Sequence, residues 1–141
     1  MNNNFKKPLL FPAEFIDIKI HILYYDKSII ETGEIMERTL ILIKPDTVQR
    51  SLAGRIISRF EDKGYKITAM KFMWMTREIA EEHYAPHKGK GFYEPLVKYM
   101  TSGPIIAMVV EGYKVIEGAR IMMGLTDPLK ADQGTIRRIL H

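Results

Sequence analysis

The five residues Thr39 to Ile43, "TLILI", limit the fold more than any other stretch of the chain. A strand with one wet face alternates apolar and polar side chains. This run is apolar throughout, as expected of a strand buried on both faces near the middle of a sheet. The "KPD" that follows ends it, because Pro45 has no N–H to give to a ladder, and a turn is expected there. Downstream, Ser51 is placed to cap a helix running to about Lys63, with Leu52, Ile56, Ile57 and Phe60 on one stripe and Gly64 as its left-handed stop. "YKITAMKFMWM" reads as a second strand. "REIAEEHY" and "FYEPLVKYM" read as short helices around a Lys/Gly-rich loop, Pro86 to Gly91. "PIIAMVVEG" is a third, buried strand, and a helix around Val115 to Met123 ends at Gly124. Strand, helix, strand, short helices, strand, helix is the split βαβ order. The expected class is therefore α+β, a ferredoxin-like α/β sandwich with an antiparallel sheet and helices on one face. A fourth strand should come next, yet "GTIRRILH" offers neither that strand nor a terminal helix, so the fourth strand is expected to be incomplete.

Composition narrows the class. With 141 residues, of which 46% are hydrophobic and 27% charged, the chain suits one compact domain with a real core. It has no cysteine, which excludes a disulfide framework and thiolate metal sites. No apolar run approaches the roughly 20 residues needed to cross a bilayer, and a cytoplasmic protein with no membrane partner is expected. Residues 1–36 hold four lysines and five acids, net −1, so +5 of the total +4 falls on residues 37–141. That basic excess favours an anionic partner, small phosphates or nucleic acid, beside the plainer reading of a solvated basic surface.

Residues 1–36 differ from the rest: they hold every asparagine and no arginine, and lack the small-residue cleavage pattern of a signal peptide. They read as an N-terminal extension, residues 37–141 as the domain. "MERTLILIKPD" would serve as a translation start. Within the extension, residues 15–25 alternate Ile16, Ile18, Ile20 and Ile22 against Asp17, Lys19 and His21, the period of a half-buried strand.

Four side chains fit a polyphosphate. Lys44 is presented at a strand end, Arg120 rides the last helix, Thr126 follows it, and Arg137 comes after a Gly-Thr turn. Each also has a bland reading as a solvated or snorkelling side chain, so only convergence would make them a site. Phe92 and Leu96, one turn apart beside a glycine-containing loop, suit stacking on a base, or equally a core stripe. His83 and His87 at i, i+4 have no third partner and do not make a metal site. A ferredoxin-like RNA binder would carry its aromatics on strands, whereas Phe92 and Tyr93 read as helical, which disfavours nucleic acid.

The run "ERTLILIKPDTVQRSLAGRIISRFEDKGYKITAMK", then "HYAPHKGKGFYEPLVKYMTSGPIIAMVVEG", "GLTDP" and "GTIR", resembles nucleoside diphosphate kinase over residues 37–137. That resemblance implies a ping-pong transfer of the γ-phosphoryl group from a triphosphate such as ATP to a nucleoside diphosphate through a histidine, with Mg²⁺ on the phosphates. It implies that Lys44 meets ribose and phosphate oxygens and that Tyr84 lies beside the nucleophile. Phe92 would stack on the base near Leu96, and Arg120, Thr126 and Arg137 would grip the phosphates. The Gly124–Pro128 stretch is similar to a subunit-contact loop of the family, implying a homo-oligomer. One departure stands out: the family continues after its Thr-Ile-Arg to an Asn-x-x-His block carrying the nucleophile, whereas this chain reads Arg138, Ile139, Leu140, His141. His141 comes too early to replace it, since phosphoryl transfer depends on positioning. His83 reads as structural. The expectation is a kinase by descent whose 141 residues lack the catalytic histidine and are inactive alone; the alternative is a non-catalytic nucleotide-binding or assembly subunit. The strand over residues 15–25 is expected to fold back against "TLILI" in antiparallel fashion, with residues 26–36 as the connection.

Overall fold

The computed structural model describes residues 28–29 and 35–140. Strand β2 (Ile35–Ile43) lies inside a sheet of order β1-β2-β4-β3, with β1 at Ser28–Ile29, β3 at Lys66–Trp74 and β4 at Pro104–Tyr113, every pairing antiparallel. Its ladder with β4 runs from Met36 opposite Tyr113 to Ile43 opposite Ile106. "TLILI" is thus central, as its composition requires.

Neighbouring side chains on a strand point to opposite faces, and here they enter two cores. Ile41 and Ile43 join Ile106, Met108 and Val110 against Ile56 and Phe60 of helix α2 (Ala53–Asp62) and Val115 and Ala119 of helix α5 (Val115–Met123). Leu42 and Ile105 face the other way. They meet Ala80 of helix α3 (Arg77–His83) and Tyr93, Val97 and Met100 of helix α4 (Tyr93–Met100), with Met75. The expectation of helices on one face therefore needs correction, because the short α3–α4 pair covers part of the second. That cover is why both parities of β2 and β4 are apolar.

Local details depart from the sequence reading in three places. Pro45 ends the ladder as expected, but instead of a turn it begins a one-turn helix α1 (Pro45–Gln49), where its missing N–H is no loss. Ser51 does not cap α2. It takes a positive φ of 57° between α1 and α2, its N–H bonds the Val48 carbonyl, and Leu52 occupies the cap position without a side-chain bond. Residues 136–140 form a helix, α6 (Ile136–Leu140), where no terminal helix was expected. Ile136 is buried against the first core, and the Ile139 N–H bonds the Thr135 carbonyl. By contrast, Gly64 has the expected left-handed φ of +86°, and α5 ends at Gly124 with φ +78°.

The strand expected over residues 15–25 lies outside the described residues. The stretch expected as a plain connection, residues 26–36, is partly strand: Ser28 pairs with Met36 and Ile29 with Ile35, on the side of β2 away from β4.

Helix α5 is held from both ends and beneath. The Glu37 carboxylate accepts the Ile116 N–H at 3.2 Å, placing negative charge at the helix start. Tyr65 lies against Gly112 and Gly118, where an added Cβ would fall 2.4 Å from its Cδ1 and 1.8 Å from its hydroxyl. Only glycine leaves room for that ring.

Candidate functional site

The end of β2 presents Lys44 to solvent at the lip of α1, where its carbonyl accepts the Val48 N–H. Its ammonium lies 5.9 Å from the ring centroid of Tyr99, which α4 supplies. The Tyr99 hydroxyl donates to Asp46 Oδ1. Burial chiefly, with help from that bond, pushes the Tyr99 pKa well above the usual phenol value. Asp46 therefore stays engaged, two residues from the lysine.

Although its side chain reaches solvent, Lys44 is crowded enough by protein that desolvation lowers its pKa; the positive charge of Arg137 lowers it further, and Asp46 opposes both. Two like charges held close enough to perturb one another, with one carboxylate already occupied by a tyrosine, favour an added anion. The sequence alone could not show this convergence. Arg137 is fixed by α6, and its Nη1 donates to the Gly124 carbonyl at 2.6 Å. That bond ties α6 to the start of the α5–α6 loop. Arg59 of α2 steadies the same region by donating to the Gly134 carbonyl, and Thr135 Oγ1 donates to the Asp132 carbonyl at 2.7 Å.

A second group of residues leads away from the lysine. Tyr84, at the end of α3, lies near enough to Tyr99 for its charged form to raise the Tyr99 pKa, and its own is raised by burial. The His83 ring meets Tyr84 edge-on at 4.5 Å, the His87 ring stacks on Tyr84 at 6.4 Å, and Phe92 lies 5.3 Å beyond His87. Phe92 is about half exposed, at 51%, with the Lys90 ammonium 5.7 Å from its centroid. An aromatic face open to solvent and flanked by a cation suits stacking of a flat heterocycle. Leu96, whose N–H bonds the Phe92 carbonyl, is half-buried against the second core, so it supports this corner from below. The α3–α4 corner is clasped by Arg77, which meets both Glu94 carboxylate oxygens at 2.9 Å and Glu81 at 2.7 Å.

These residues form a run, aromatic at one end and cationic at the other: ring contacts join Phe92, His87 and Tyr84, the Lys44 ammonium approaches the Tyr99 ring, Arg137 bonds the Gly124 carbonyl, and only the charge effects described above relate these three groups. Arg120 and Thr126 are exposed, on the last turn of α5 and the loop after it. Neither makes a side-chain hydrogen bond or ion pair among the described residues, and no contact joins them to Lys44. Sequence reasoning missed Asp46 and Tyr99, and weighed His87 only as a metal ligand. Asp46 was legible in "KPD"; Tyr99, 53 residues away in sequence, carried no local signal of that bond. Among the described residues no three His, Cys, Asp or Glu side chains gather to hold a metal ion, and none of the helices is long and apolar enough to cross a membrane.

The sequence matches the family model described as nucleoside diphosphate kinase over residues 37–140. It is 60% identical over 102 residues to a nucleoside diphosphate kinase of Pelotomaculum thermopropionicum, covering 72% of this chain and 68% of that protein. A Thermoplasma acidophilum relative of the same description is 61% identical over 101 residues, with the same coverage. Among solved structures, a halophilic nucleoside diphosphate kinase from Halobacterium salinarum in complex with CDP superposes with a TM-score of 0.72 at 48% identity, over 73% of this chain and 68% of that one. A nucleoside diphosphate kinase family protein from Babesia bovis superposes with a TM-score of 0.71 at 44% identity, over 73% and 70%.

Proposed function

Because this chain belongs to the nucleoside diphosphate kinase family, we propose that the run from Phe92 to Arg137 holds a nucleoside di- or triphosphate, base on Phe92 and phosphates on Lys44 and Arg137. The observation that carries the reading is the Lys44 ammonium set 5.9 Å from the Tyr99 ring at the end of β2, where burial first and the repulsion of the Arg137 charge second lower its pKa. Phosphate oxygens between Lys44 and Arg137 relieve that repulsion. Arg120 and Thr126, exposed on the adjoining α5–α6 region, turn to the phosphates when nucleotide binds, and Leu96 backs the base. Tyr84 stands between the two ends as a positioning residue.

In the proposed reaction the γ-phosphoryl group leaves a nucleoside triphosphate for a histidine nitrogen, releasing the diphosphate, and then passes to the terminal oxygen of an acceptor diphosphate. Lys44 and Arg137 would hold the phosphates of a Mg²⁺-bearing nucleotide, on which the ion would supply further charge neutralisation. The donor set here fits that role rather than a protein cage: Lys44 and Arg137 are cations, and Asp46 is engaged by Tyr99. The described histidines, His83 and His87, flank Tyr84 and are read as its supports. The nucleophile is proposed to belong to an Asn-x-x-His block that residues 1–141 do not include, so these residues bind nucleotide without becoming phosphorylated. The proposed place of action is the cytoplasm.

A homo-oligomer is proposed from β3, an edge strand among the described residues, whose Phe72 and Trp74 are 63% and 62% exposed. Two large apolar side chains in a row at a sheet edge mark a contact surface.

The test is incubation of the 141-residue chain with ATP labelled at the γ-phosphate. Expected is retention of nucleotide in equilibrium dialysis with no acid-labile label on protein. Labelled His83, His87 or His141 with turnover would overturn the restriction to binding; failure to retain nucleotide would overturn the site.

A further inference from the structure

Lys44 and Asp46 stand two residues apart, and the Asp46 charge is near enough to oppose the lowering of the Lys44 pKa, yet the two make no ion pair among the described residues. Asp46 instead accepts a hydrogen bond from the Tyr99 hydroxyl, 53 residues along the chain. A hydrogen bond to a charged group outweighs an exposed ion pair, so the tyrosine wins the acid. Both partners of that bond are anchored. Pro45, next to Asp46, is buried at the start of α1, and Tyr99 packs partly buried on the second core beside the fully buried Val97 and Met100 of α4. The ring of the same tyrosine lies 5.9 Å from the Lys44 ammonium. One side chain therefore presents its face to the cation and its hydroxyl to the anion, and holds the two apart.

We propose that Tyr99 is a positioning residue: by holding Asp46 it keeps the Lys44 ammonium unpaired and open to an anionic oxygen of the ligand. Without the hydroxyl, the Asp46 carboxylate is released to turn to Lys44, and a phosphate would have to displace it. The inference rests on the proposed contact of Lys44 with phosphate, but the latch itself is readable without nucleotide.

Three variants of the 141-residue chain carry the test: Tyr99→Phe, which keeps the ring and loses the hydroxyl, Asp46→Asn, and the two together. The first readout is acetylation of the Lys44 amine by trace acetic anhydride, followed by mass spectrometry. In Tyr99→Phe the new ion pair should slow that acetylation by about threefold or more, and adding Asp46→Asn should restore it. The second readout is calorimetry with ADP, where Tyr99→Phe should weaken binding by about fivefold and the double variant should recover to within about twofold of the parent. A merely structural tyrosine would give no rescue by an asparagine. Unchanged Lys44 acetylation in Tyr99→Phe, or no recovery in the double variant, would overturn the latch. Slowed and restored acetylation, with ADP bound by no chain including the parent, would uphold the latch and deny Lys44 its phosphate. If Tyr99→Phe fails to fold, Asp46→Asn alone decides. Lys44 acetylation within about twofold of the parent supports the proposal, because the acid was already held aside; a larger acceleration would show Asp46 paired with Lys44 and overturn it.

Discussion

Replacing Gly118 by alanine, in the middle of α5, sets two effects against each other. Alanine in place of a mid-helix glycine contributes about 1 kcal/mol in helix propensity. Against this, the new Cβ would lie 1.8 Å from the Tyr65 hydroxyl and 2.9 Å from its Cζ, where atoms cannot stay. The ring has little room to retreat, because its other end rests on Gly112, with Cδ1 only 2.4 Å from where a Cβ would be. Overpacking of this kind costs roughly 1–3 kcal/mol, and more when the neighbours are pinned. The expected net loss is about 1–2 kcal/mol, a fall in Tm of roughly 5–10 °C for a domain of this size. Urea unfolding of Gly118→Ala measures it, and the Tyr65→Phe background isolates the cause, since removing the hydroxyl should reduce the penalty of the alanine. A Gly118→Ala chain as stable as the parent, or more so, would refute the steric reasoning and show that propensity wins. The stakes reach the site, because α5 carries Arg120 and ends at Gly124, whose carbonyl holds Arg137.

Other outcomes follow from the same geometry. Lys44 has a folded pKa below its unfolded 10.5, so as pH rises from that lowered value toward 10.5 the unfolded chain binds the extra proton and stability should rise. ADP affinity should fall over the same range as the ammonium is lost. The raised pKa values of Tyr65, Tyr84 and Tyr99 act in the opposite sense over the same range, so the reading is the difference in stability between the parent and Lys44→Met, which should grow with pH, and a difference that stays flat would deny Lys44 the effect. Phe92→Ala should weaken ADP binding roughly 5- to 150-fold, about 1–3 kcal/mol of stacking, while leaving pyrophosphate binding unchanged; equal weakening of both in calorimetry would deny the ring its base. Gly124→Ala must place a Cβ 2.7 Å from Thr135 Oγ1 at a φ of +78°, so a loss of about 2 kcal/mol by thermal melting is expected, and a neutral result would mean that the loop relaxes freely.

Much of this was legible in the chain because each signal was local. The α5 boundaries follow from apolar spacing and Gly124, and the central place of β2 from a run apolar on both parities. Pro45 shows where local reading stops: it was right as the end of a ladder, but the same residue also begins α1. Helix α6 was missed because Ile136, Ile139 and Leu140, at helical spacing, fall where the topology led one to expect a strand. Lys44 and Arg137 were both named, and Phe92 too, yet the shared site proposed for them depends on β2, α4 and α6 meeting, and nothing near any of them in sequence encodes that. The Tyr99–Asp46 bond is of the same kind.

The central claim is that Lys44 and Arg137 together hold nucleotide phosphates, and calorimetric titration of the 141-residue chain with ADP at about 0.05 M and 1 M salt tests it most directly. Lys44 is exposed and Arg137 half-buried, and cations reached by solvent lose much of their pull as the Debye length shrinks to about 3 Å at the higher salt. The predicted result is measurable heat at low salt, weakened at high salt, and a loss of affinity of at least tenfold in either Lys44→Met or Arg137→Ala. Binding that survives both substitutions, or no heat from the folded chain at either salt, would contradict it.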